Sequence, residues 1–310
     1  MTPKADALLP DGRDVPFAEI EATLARLVRD GHGRPGAPAR SLLATVIVVG
    51  VQERLVDAAQ ALEHLGDVGV RAILISEGTH TMPVARVTEH AIAIAGLAPR
   101  YLNNAVAALR LSSLPAVVWW RGGSVEALDD LAGLADRLIL DTPDPDEVWA
   151  RAEGLFDSTA LTDMRWPALT RWRAALAHLF DLPQVQRDAS ALQRLEIDAT
   201  DAAAARLYAG WLKSRLQWTS AVTIALREVA GEAPTPLVRV KLSGKGLTIA
   251  LEVKPQRACL EAAVEGGDTS TRIVPLGDGT LASLIGEELG VRTRDLAFEQ
   301  ALAAAREIHA

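Results

Sequence analysis

The first half of the chain alternates between continuous apolar runs and segments with helical periodicity. Residues 42–51 (LLATVIVVGV) are rich in β-branched side chains, which is typical of a strand buried on both faces, and a helix follows through Leu55 and Leu62. The pattern then predicts a strand at 70–76, a β-ribbon or edge strand at 84–96, a helix at 99–111, a strand at 114–120, a helix at about 125–134 and a last short strand at 137–141. This alternation predicts an α/β domain with a mainly parallel, doubly wound (Rossmann-like) sheet covered on both faces.

An amphipathic helix is expected before this domain. Within residues 14–30, Phe17, Ile20 and Leu24 recur at helical spacing. Residues 31–40 (GHGRPGAPAR) contain three Gly and two Pro, which predicts a flexible connection. Residues 1–40 are therefore expected to form an N-terminal helix and a linker.

Two helices are expected after the last strand of the first half. Asp144 and Glu147 have the spacing of a capping box around Pro145, which predicts a helix beginning at this point. A second helix runs from Pro167 to Phe180 with one apolar face, formed by Leu169, Trp172, Leu176 and Leu179. With these bridging helices, the α/β domain is expected to span residues 41–185.

The second half of the chain has a different pattern. A helix at 204–216 is followed by short alternating runs separated by Gly, Pro and polar turns. Such alternation is typical of antiparallel strands with one face toward a core. Two further helices are predicted at about 281–289 and 293–308. Residues 186–310 are therefore expected to form an α+β domain containing an antiparallel sheet.

Charge and composition narrow the classes of function. The formal net charge is -8, so the chain lacks the basic surface of a general nucleic-acid binder and no nucleic-acid partner is expected. The longest apolar runs span about ten residues, half of what a membrane helix needs, so no membrane association is expected. The single cysteine, Cys259, and the absence of an apolar leader favour a soluble protein of the reducing cytoplasm.

The sequence contains no recognisable catalytic, cofactor or metal motif. The turn after the first strand, residues 49–54 (VGVQER), lacks the repeated glycines that let a dinucleotide approach a helix. Residues 243–246 (SGKG) lie between two strand-like runs, where a hairpin is expected instead of a phosphate loop. The six histidines are scattered, and neither an HxxxH pair nor a GxSxG elbow occurs. A dispersed active site remains open, because catalytic groups need not be neighbours in sequence.

Tryptophan is the unusual component of the composition. The chain has seven Trp against four Phe and two Tyr, and most of the tryptophans lie near arginines. Because consecutive strand residues point to opposite faces, one ring of the pair Trp119 and Trp120 is expected in the core and the other in the crevice at the end of the strand. Trp and Arg often anchor protein interfaces. The alternative is that these rings fill the core with guanidinium groups over them.

Four blocks of the sequence resemble one known family. They are LPAVVWWRG (114–122), DMRWPALTRWR (163–173), YAGWLKSRL (208–216) and LASLIGEELGVRTRDLAFEQAL (281–302). In this order they are similar to motifs of the glucose-6-phosphate dehydrogenase assembly protein family, OpcA. The resemblance runs from about residue 40 onward, with departures in the second block at Met164, Pro167, Ala168 and Arg171.

The resemblance implies a role without catalysis. A member of the family would bind glucose-6-phosphate dehydrogenase and promote its active oligomer in the oxidative pentose phosphate pathway. The thiol-based control associated with cyanobacterial members is not transferred, since Cys259 stands alone. The candidate partner-binding or motif residues are Trp119, Trp120, Arg121, Asp163, Trp166, Arg171, Trp172, Arg173, Trp211 and Arg215.

Two other functions remain open from the residues. The first is a sugar-phosphate- or nucleotide-binding sensor, or a cryptic enzyme, that uses the α/β crevice. In that case Arg121, Arg137 and Arg171 would bind phosphate. The second is a structural scaffold with other partners.

Overall fold

The computed structural model describes residues 5–32, 42–65, 69–81, 83–218, 222–231, 235–266, 270–291 and 293–308. The contacts within the chain form two compact units. Unit 1 comprises Met1–Pro143, Gly154–Thr162 and Leu281–Arg294, and unit 2 comprises Asp144–Glu153, Asp163–Thr280 and Asp295–Ala310. The division at residues 40 and 185 that the sequence suggested stays a prediction.

The helices are numbered in chain order. They are α1 (Ala5–Leu8), α2 (Ile20–His32), α3 (Gln52–His64), α4 (Leu102–Leu109), α5 (Ala127–Ala132), α6 (Asp146–Ala152), α7 (Arg165–Ala168), α8 (Thr170–Phe180), α9 (Pro183–Asp188), α10 (Ala202–Arg215), α11 (Leu281–Gly290) and α12 (Leu296–Arg306). None of these described helices is long and apolar enough to cross a membrane.

Unit 1 is built on an eight-stranded sheet. Its strands are β1 (Arg13–Val15), β2 (Ala44–Gly50), β3 (Val70–His80), β4 (Ala85–Val87), β5 (Ala91–Leu97), β6 (Ala116–Arg121), β7 (Arg137–Leu140) and β8 (Ala160–Asp163). Their order is β1-β4-β5-β3-β2-β6-β7-β8. The central strands pair in parallel, from β5 through β3, β2 and β6 to β7. All residues of β2 and β6 are buried, as expected for strands covered on both faces.

Several details of unit 1 differ from the sequence expectations. The helix predicted for residues 14–30 begins only at Ile20, because Arg13–Val15 pairs with β4 and Pro16 follows. β7 is not the last strand, since β8 extends the sheet beyond it. The predicted β-ribbon is confirmed, because β4 and β5 are antiparallel. Most of the predicted flexible connection, residues 33–40, lies outside the described residues.

Unit 2 contains a six-stranded sheet. Its strands are β9 (Leu192–Ala199), β10 (Thr223–Glu228), β11 (Leu237–Gly244), β12 (Leu247–Lys254), β13 (Cys259–Glu265) and β14 (Ser270–Pro275), in the order β10-β9-β11-β12-β13-β14. The sequence pattern did not predict β9, and it predicted an antiparallel sheet. The sheet is instead mixed, because β10 pairs with β9 in parallel and α10 supplies the crossover that parallel neighbours require.

The helices of unit 2 cover one face of this sheet. α8 contacts β12 and β13, while α10 contacts β9 and β10 and packs against α12. The helix predicted from Pro167 to Phe180 is divided into α7 and α8 at Leu169. The capping position predicted for Asp144 differs from the structure, since Pro145 occupies the N-cap position of α6. The predicted hairpin at 243–246 is confirmed between β11 and β12. The predicted α/β class with a Rossmann-like parallel sheet is thus confirmed, together with a second, mixed sheet.

Candidate functional site

The carboxyl ends of β2 and β6 form the place where a doubly wound sheet usually binds its ligand. β3 lies on one side of β2 and β6 on the other, so the direction of the strand order reverses between β2 and β6. In open α/β sheets the crevice for a ligand opens at this switch point. The side chains at these strand ends therefore decide whether the crevice is available.

An ion network of three side chains occupies this end of the sheet. Arg121 Nε donates to Asp141 Oδ2 at 2.7 Å, and Arg54 Nη2 donates to Asp141 Oδ1 at 2.6 Å. Arg54 Nη1 also donates to the carbonyl oxygen of Asp141 at 2.7 Å, and Arg121 donates to the carbonyl oxygen of Arg54. Burial lowers the pKa of Arg121, and the charge of Asp141 opposes that shift. The arginine that could have bound phosphate thus already binds a carboxylate of unit 1.

A second contact fastens the loop after β6 to β3. The backbone N–H of Ser124 donates to both carboxylate oxygens of Glu77, at 2.9 and 3.1 Å. Gly123 has a φ of +120°, and a Cβ there would lie 2.5 Å from Cδ of Glu77, so only glycine fits. Burial raises the pKa of Glu77, while the Ser124 hydrogen bond opposes this effect. Side chains of unit 1 itself therefore fill both sides of the switch point.

Trp119 and Trp120 are both buried, at 0% and 2% exposure. The expectation that one ring lies open in the crevice is therefore not met. The guanidinium of Arg121 lies over the Trp119 ring at 4.8 Å. Within the described part of the chain, neither indole Nε1 has a hydrogen-bond partner. The structure of β6 agrees better with the alternative given above, in which the tryptophan rings fill the core and a guanidinium lies over them.

The block at 163–173 begins with a buried carboxylate in unit 2. Asp163 is 0% exposed and accepts hydrogen bonds from Trp149 Nε1 at 2.8 Å and from the backbone N–H of Arg165 at 2.9 Å. Arg165 Nε donates to Asp201 at 2.8 Å. Burial lowers the pKa of Arg165, but the charges of Asp163 and Asp201 outweigh it and the net shift is upward. Asp163 therefore organises the interior of unit 2.

Trp166 joins this block to the start of α12. Its Nε1 donates to Asp295 Oδ2 at 2.7 Å, and the other carboxylate oxygen of Asp295 caps α12 through the backbone N–H of Ala297. Arg173 lies over the Trp166 ring at 3.5 Å and also donates to the Trp166 carbonyl. Trp166 is buried, whereas Arg173 is half-buried. Most of this pairing of Trp with Arg is thus internal to unit 2.

The remaining candidates differ in their exposure. Trp172 is buried and donates to Thr235 Oγ1 at 3.2 Å, and its carbonyl accepts from Tyr208 Oη. Trp211 is half-buried beside the Tyr208 ring, with centroids 5.3 Å apart. The candidates that remain accessible are Arg171, Arg173, Trp211 and Arg215.

Arg137, offered above as a phosphate ligand, is also engaged. It forms a buried ion pair with Glu288 of α11, and both side chains are 5% exposed. The sequence reading also missed several carboxylates that hold the network residues. Asp141 directly follows an apolar strand, while Asp201 and Asp295 directly precede helices, so their positions carried a usable signal. No group of metal-ligating side chains is present among the residues described.

Comparisons with known proteins support one family. Residues 159–302 match the family described as the C-terminal domain of a glucose-6-phosphate dehydrogenase subunit. Two cyanobacterial relatives, from Synechocystis sp. and Synechococcus elongatus, are each named "Putative OxPP cycle protein OpcA". The chain is thus similar to proteins of the OpcA family. The Synechocystis OpcA is 30% identical over 128 residues, and the Synechococcus OpcA is 26% identical over 247 residues.

These OpcA proteins are longer than the matched regions. The alignments cover 38% and 65% of this chain, and 27% and 55% of the Synechocystis and Synechococcus proteins. The chain thus spans at most about half the length of these relatives.

A similar solved structure is that of a point mutant of KijD10, a 3-ketoreductase from Actinomadura kijaniata solved with TDP-benzene and NADP. Its TM-score is 0.52 at 11% identity, covering 86% of this chain and 95% of that chain. This likeness bears on the Rossmann-like fold alone.

Proposed function

We propose that this chain is a non-catalytic assembly factor and allosteric activator that binds glucose-6-phosphate dehydrogenase. In this role it promotes the active oligomer of the enzyme in the oxidative pentose phosphate pathway. The match to a domain family of a glucose-6-phosphate dehydrogenase subunit and the names of the OpcA relatives support this partner. The similarity to OpcA proteins also agrees with the four sequence blocks described above.

The proposal of a role without catalysis rests on the contacts that occupy the crevice at the carboxyl ends of the parallel strands. Arg54 and Arg121 both bind the carboxylate of Asp141 at the end of β6, and Glu77 of β3 binds the backbone N–H of Ser124 in the loop after β6. A phosphate would have to displace a carboxylate that already binds both guanidinium groups. We therefore assign the chain a function through protein contacts.

An activator works by binding one state of its target more tightly than the other. A coupling free energy of about 1–3 kcal/mol would change the population of the active dehydrogenase by several-fold to about a hundred-fold. The experiment adds the purified chain to its cognate dehydrogenase and measures kcat, KM and the mass of the oligomer by light scattering. No change in any of these at micromolar excess would contradict the proposal.

Variants separate contact residues from interior residues. Trp211→Ala and Arg215→Ala alter accessible side chains and are expected to weaken activation by about tenfold, the effect of an interface anchor. Trp119→Phe and Trp120→Phe alter buried rings and are expected to lower stability without changing activation by the folded protein. Arg29→Ala, at an exposed position of α2, is the surface control. The reverse pattern would place the contact on β6.

A thermal-shift measurement tests the alternative function, a small-molecule sensor or a cryptic enzyme. A ligand that binds only the folded state raises the melting temperature. We expect no thermal shift with sugar phosphates or nicotinamide nucleotides when the dehydrogenase is absent. A saturable stabilisation by any of them would favour the alternative.

A further inference from the structure

The six-stranded sheet of unit 2 has one face turned away from its helices. Buried residues such as Leu195, Val240 and Leu251 alternate along the strands with exposed or half-buried ones. We call the side of the exposed and half-buried residues the open face. Alternation of this kind shows that only one side of the sheet forms the core of unit 2.

Charged residues on the open face follow the strand register. One row crosses the whole sheet and consists of Arg227, Asp198, Arg239, Glu252, Glu261 and Ile273, each directly opposite the next. The neighbouring row is formed by Ala225, Glu196, Lys241, Ala250, Ala263 and Thr271. Two of its alanines, Ala250 and Ala263, keep the surface low on β12 and β13.

The two halves of the open face carry opposite net charge. On β10, β9 and β11 there are four cations against two anions, namely Arg194, Arg227, Arg239 and Lys241 against Glu196 and Asp198. On β12 and β13 one cation stands against three anions, namely Lys254 against Glu252, Glu261 and Glu265. The face is therefore dipolar, with a positive and a negative half.

Some of these charges are paired within the sheet and others are not. Arg227 binds Asp198 at 2.7 Å, and Lys254 lies 2.8 Å from Glu252 and 3.8 Å from Glu261. Across the stretches of chain that the structure describes, Arg239 and Lys241 form no ion pair. The positive half thus offers free cations to an acidic partner surface.

The size of the open face suits a protein interface. Six strands about 4.8 Å apart and about seven residues long give a face of about 600–700 Å². Two such faces together would remove more than about 1,200 Å² from solvent, which is the lower end for specific complexes. The short side chains of Ala250 and Ala263 would let a second sheet approach β12 and β13 to the usual spacing of about 10 Å.

We propose that the open face binds the open face of a second copy of this chain. A two-fold axis parallel to the strands would place β11 over the partner's β12, and β9 over the partner's β13. Arg239 then faces the partner's Glu252, and Arg194 faces the partner's Glu265. Asp198 faces the partner's Glu261, which has the same charge. Each of these carboxylates stays paired with a cation of its own sheet, Asp198 with Arg227 and Glu261 with Lys254. A dipolar face is self-complementary under such an axis, as a closed dimer requires.

Sedimentation velocity of the full chain tests the proposal. We expect a monomer–dimer equilibrium between about 1 and about 200 µM that weakens when salt rises from about 0.1 to about 0.5 M. Arg239→Glu and Glu252→Arg each create like charges across the axis and are expected to weaken the dimer at least about tenfold. The double variant exchanges the charges and is expected to restore dimerisation to within about threefold of the original.

Arg29→Glu makes the same charge change as Arg239→Glu at an exposed site in unit 1 and is expected to dimerise like the original chain. Circular dichroism spectra and melting curves confirm that each variant is folded. A chain that stays monomeric over the whole concentration range would overturn the proposal. So would single variants that dimerise normally. If the chain is monomeric and the same variants lose the dehydrogenase instead, the open face binds the enzyme and the second copy is excluded.

Discussion

At the scale of single residues, carboxylates at the ends of the parallel strands bind other parts of unit 1. Asp141 accepts hydrogen bonds from Arg54 and Arg121, and Glu77 accepts twice from the N–H of Ser124. In enzymes of doubly wound fold, groups at these positions contact a ligand. Here the same positions stabilise the loops around the crevice. Their substitution should therefore affect stability first.

Asp141→Asn removes the negative charge between two guanidinium groups. Arg121 is 5% exposed and would lose its carboxylate in surroundings that solvate it poorly. We expect the free energy of unfolding to fall by about 2–4 kcal/mol, somewhat less than for a fully buried pair because Arg54 and Asp141 are partly exposed. Urea denaturation followed by tryptophan fluorescence measures the loss. Asp130→Asn, at an exposed position of α5, is the control; equal effects in both variants would contradict the role of the network.

Glu77→Gln changes the dependence of stability on pH. Burial raises the pKa of Glu77, so folding favours the protonated carboxyl. The stabilisation that the protonated Glu77 contributes is present below the usual glutamate pKa. It is lost as the pH rises through the pKa of Glu77 in the folded chain. Gln stays neutral and can still accept from Ser124. Melting temperatures between about pH 4 and about pH 8 should fall more for the original chain than for the variant. Parallel profiles would show that the Glu77 pKa is not linked to folding.

At the scale of elements, the starts of two helices hold the tryptophan-rich block of unit 2. Asp201 caps α10 and binds Arg165, while Asp295 caps α12 and binds Trp166. Each carboxylate thus satisfies a helix end and a side chain of the block together. α10 and α12 pack against each other, so the two carboxylates that hold the block are fixed in position by the contact between these helices.

Gly210→Ala tests the contact between α10 and α12. A Cβ at this position would lie 2.6 Å from the backbone nitrogen of Ala305, so the two helices would have to separate. We expect a loss of about 1–3 kcal/mol or more, although alanine by itself favours a helix by about 1 kcal/mol over glycine. Thermal denaturation provides the measurement. Gly154→Ala, where a Cβ meets nothing within 4 Å, should change stability little. A stabilised Gly210→Ala variant would show that the helices do not approach this closely.

At the scale of the whole molecule, each unit is assembled from distant parts of the chain. α11 belongs to unit 1, where it contacts α3 and supplies Glu288 to the buried Arg137. A boundary near residue 185, as the sequence suggested, would separate α11 from α3 and from Arg137, which it contacts. We therefore expect the two halves of the chain to depend on each other for folding.

A fragment comprising residues 1–185 tests this dependence. It lacks α11, exposes the side of α3 that α11 contacts and removes Glu288 from its pair with Arg137; breaking a buried pair costs at most about 3–5 kcal/mol. We expect the fragment alone to show no cooperative thermal transition by circular dichroism. Co-expression with residues 186–310 should restore a folded complex. A cooperative transition of the fragment alone, at the temperature of the full chain, would show that α11 is dispensable.

Features that the sequence predicts depend on neighbouring residues, whereas features that it does not predict depend on contacts between segments far apart in the chain. β2 and β6 were recognisable because a strand covered on both faces needs a continuous apolar run. β9 was missed, and with it the parallel pair with β10, because strand direction depends on a crossover that periodicity does not specify. The burial of both Trp119 and Trp120 depended on what covers each face of the sheet. Local alternation assigns residues to faces and leaves open which face meets solvent.

The sequence by itself determined the α/β alternation, the mainly parallel sheet of unit 1 and the four blocks that point to the OpcA family. These follow from neighbouring residues, since periodicity and motifs are local properties. Only the tertiary structure decided that the crevice is filled and that α11 returns to unit 1. The pairs responsible, Arg54 with Asp141 and Arg137 with Glu288, are separated by 87 and 151 residues. Such pairs form only when the packed sheet brings distant segments together, and no local pattern encodes them.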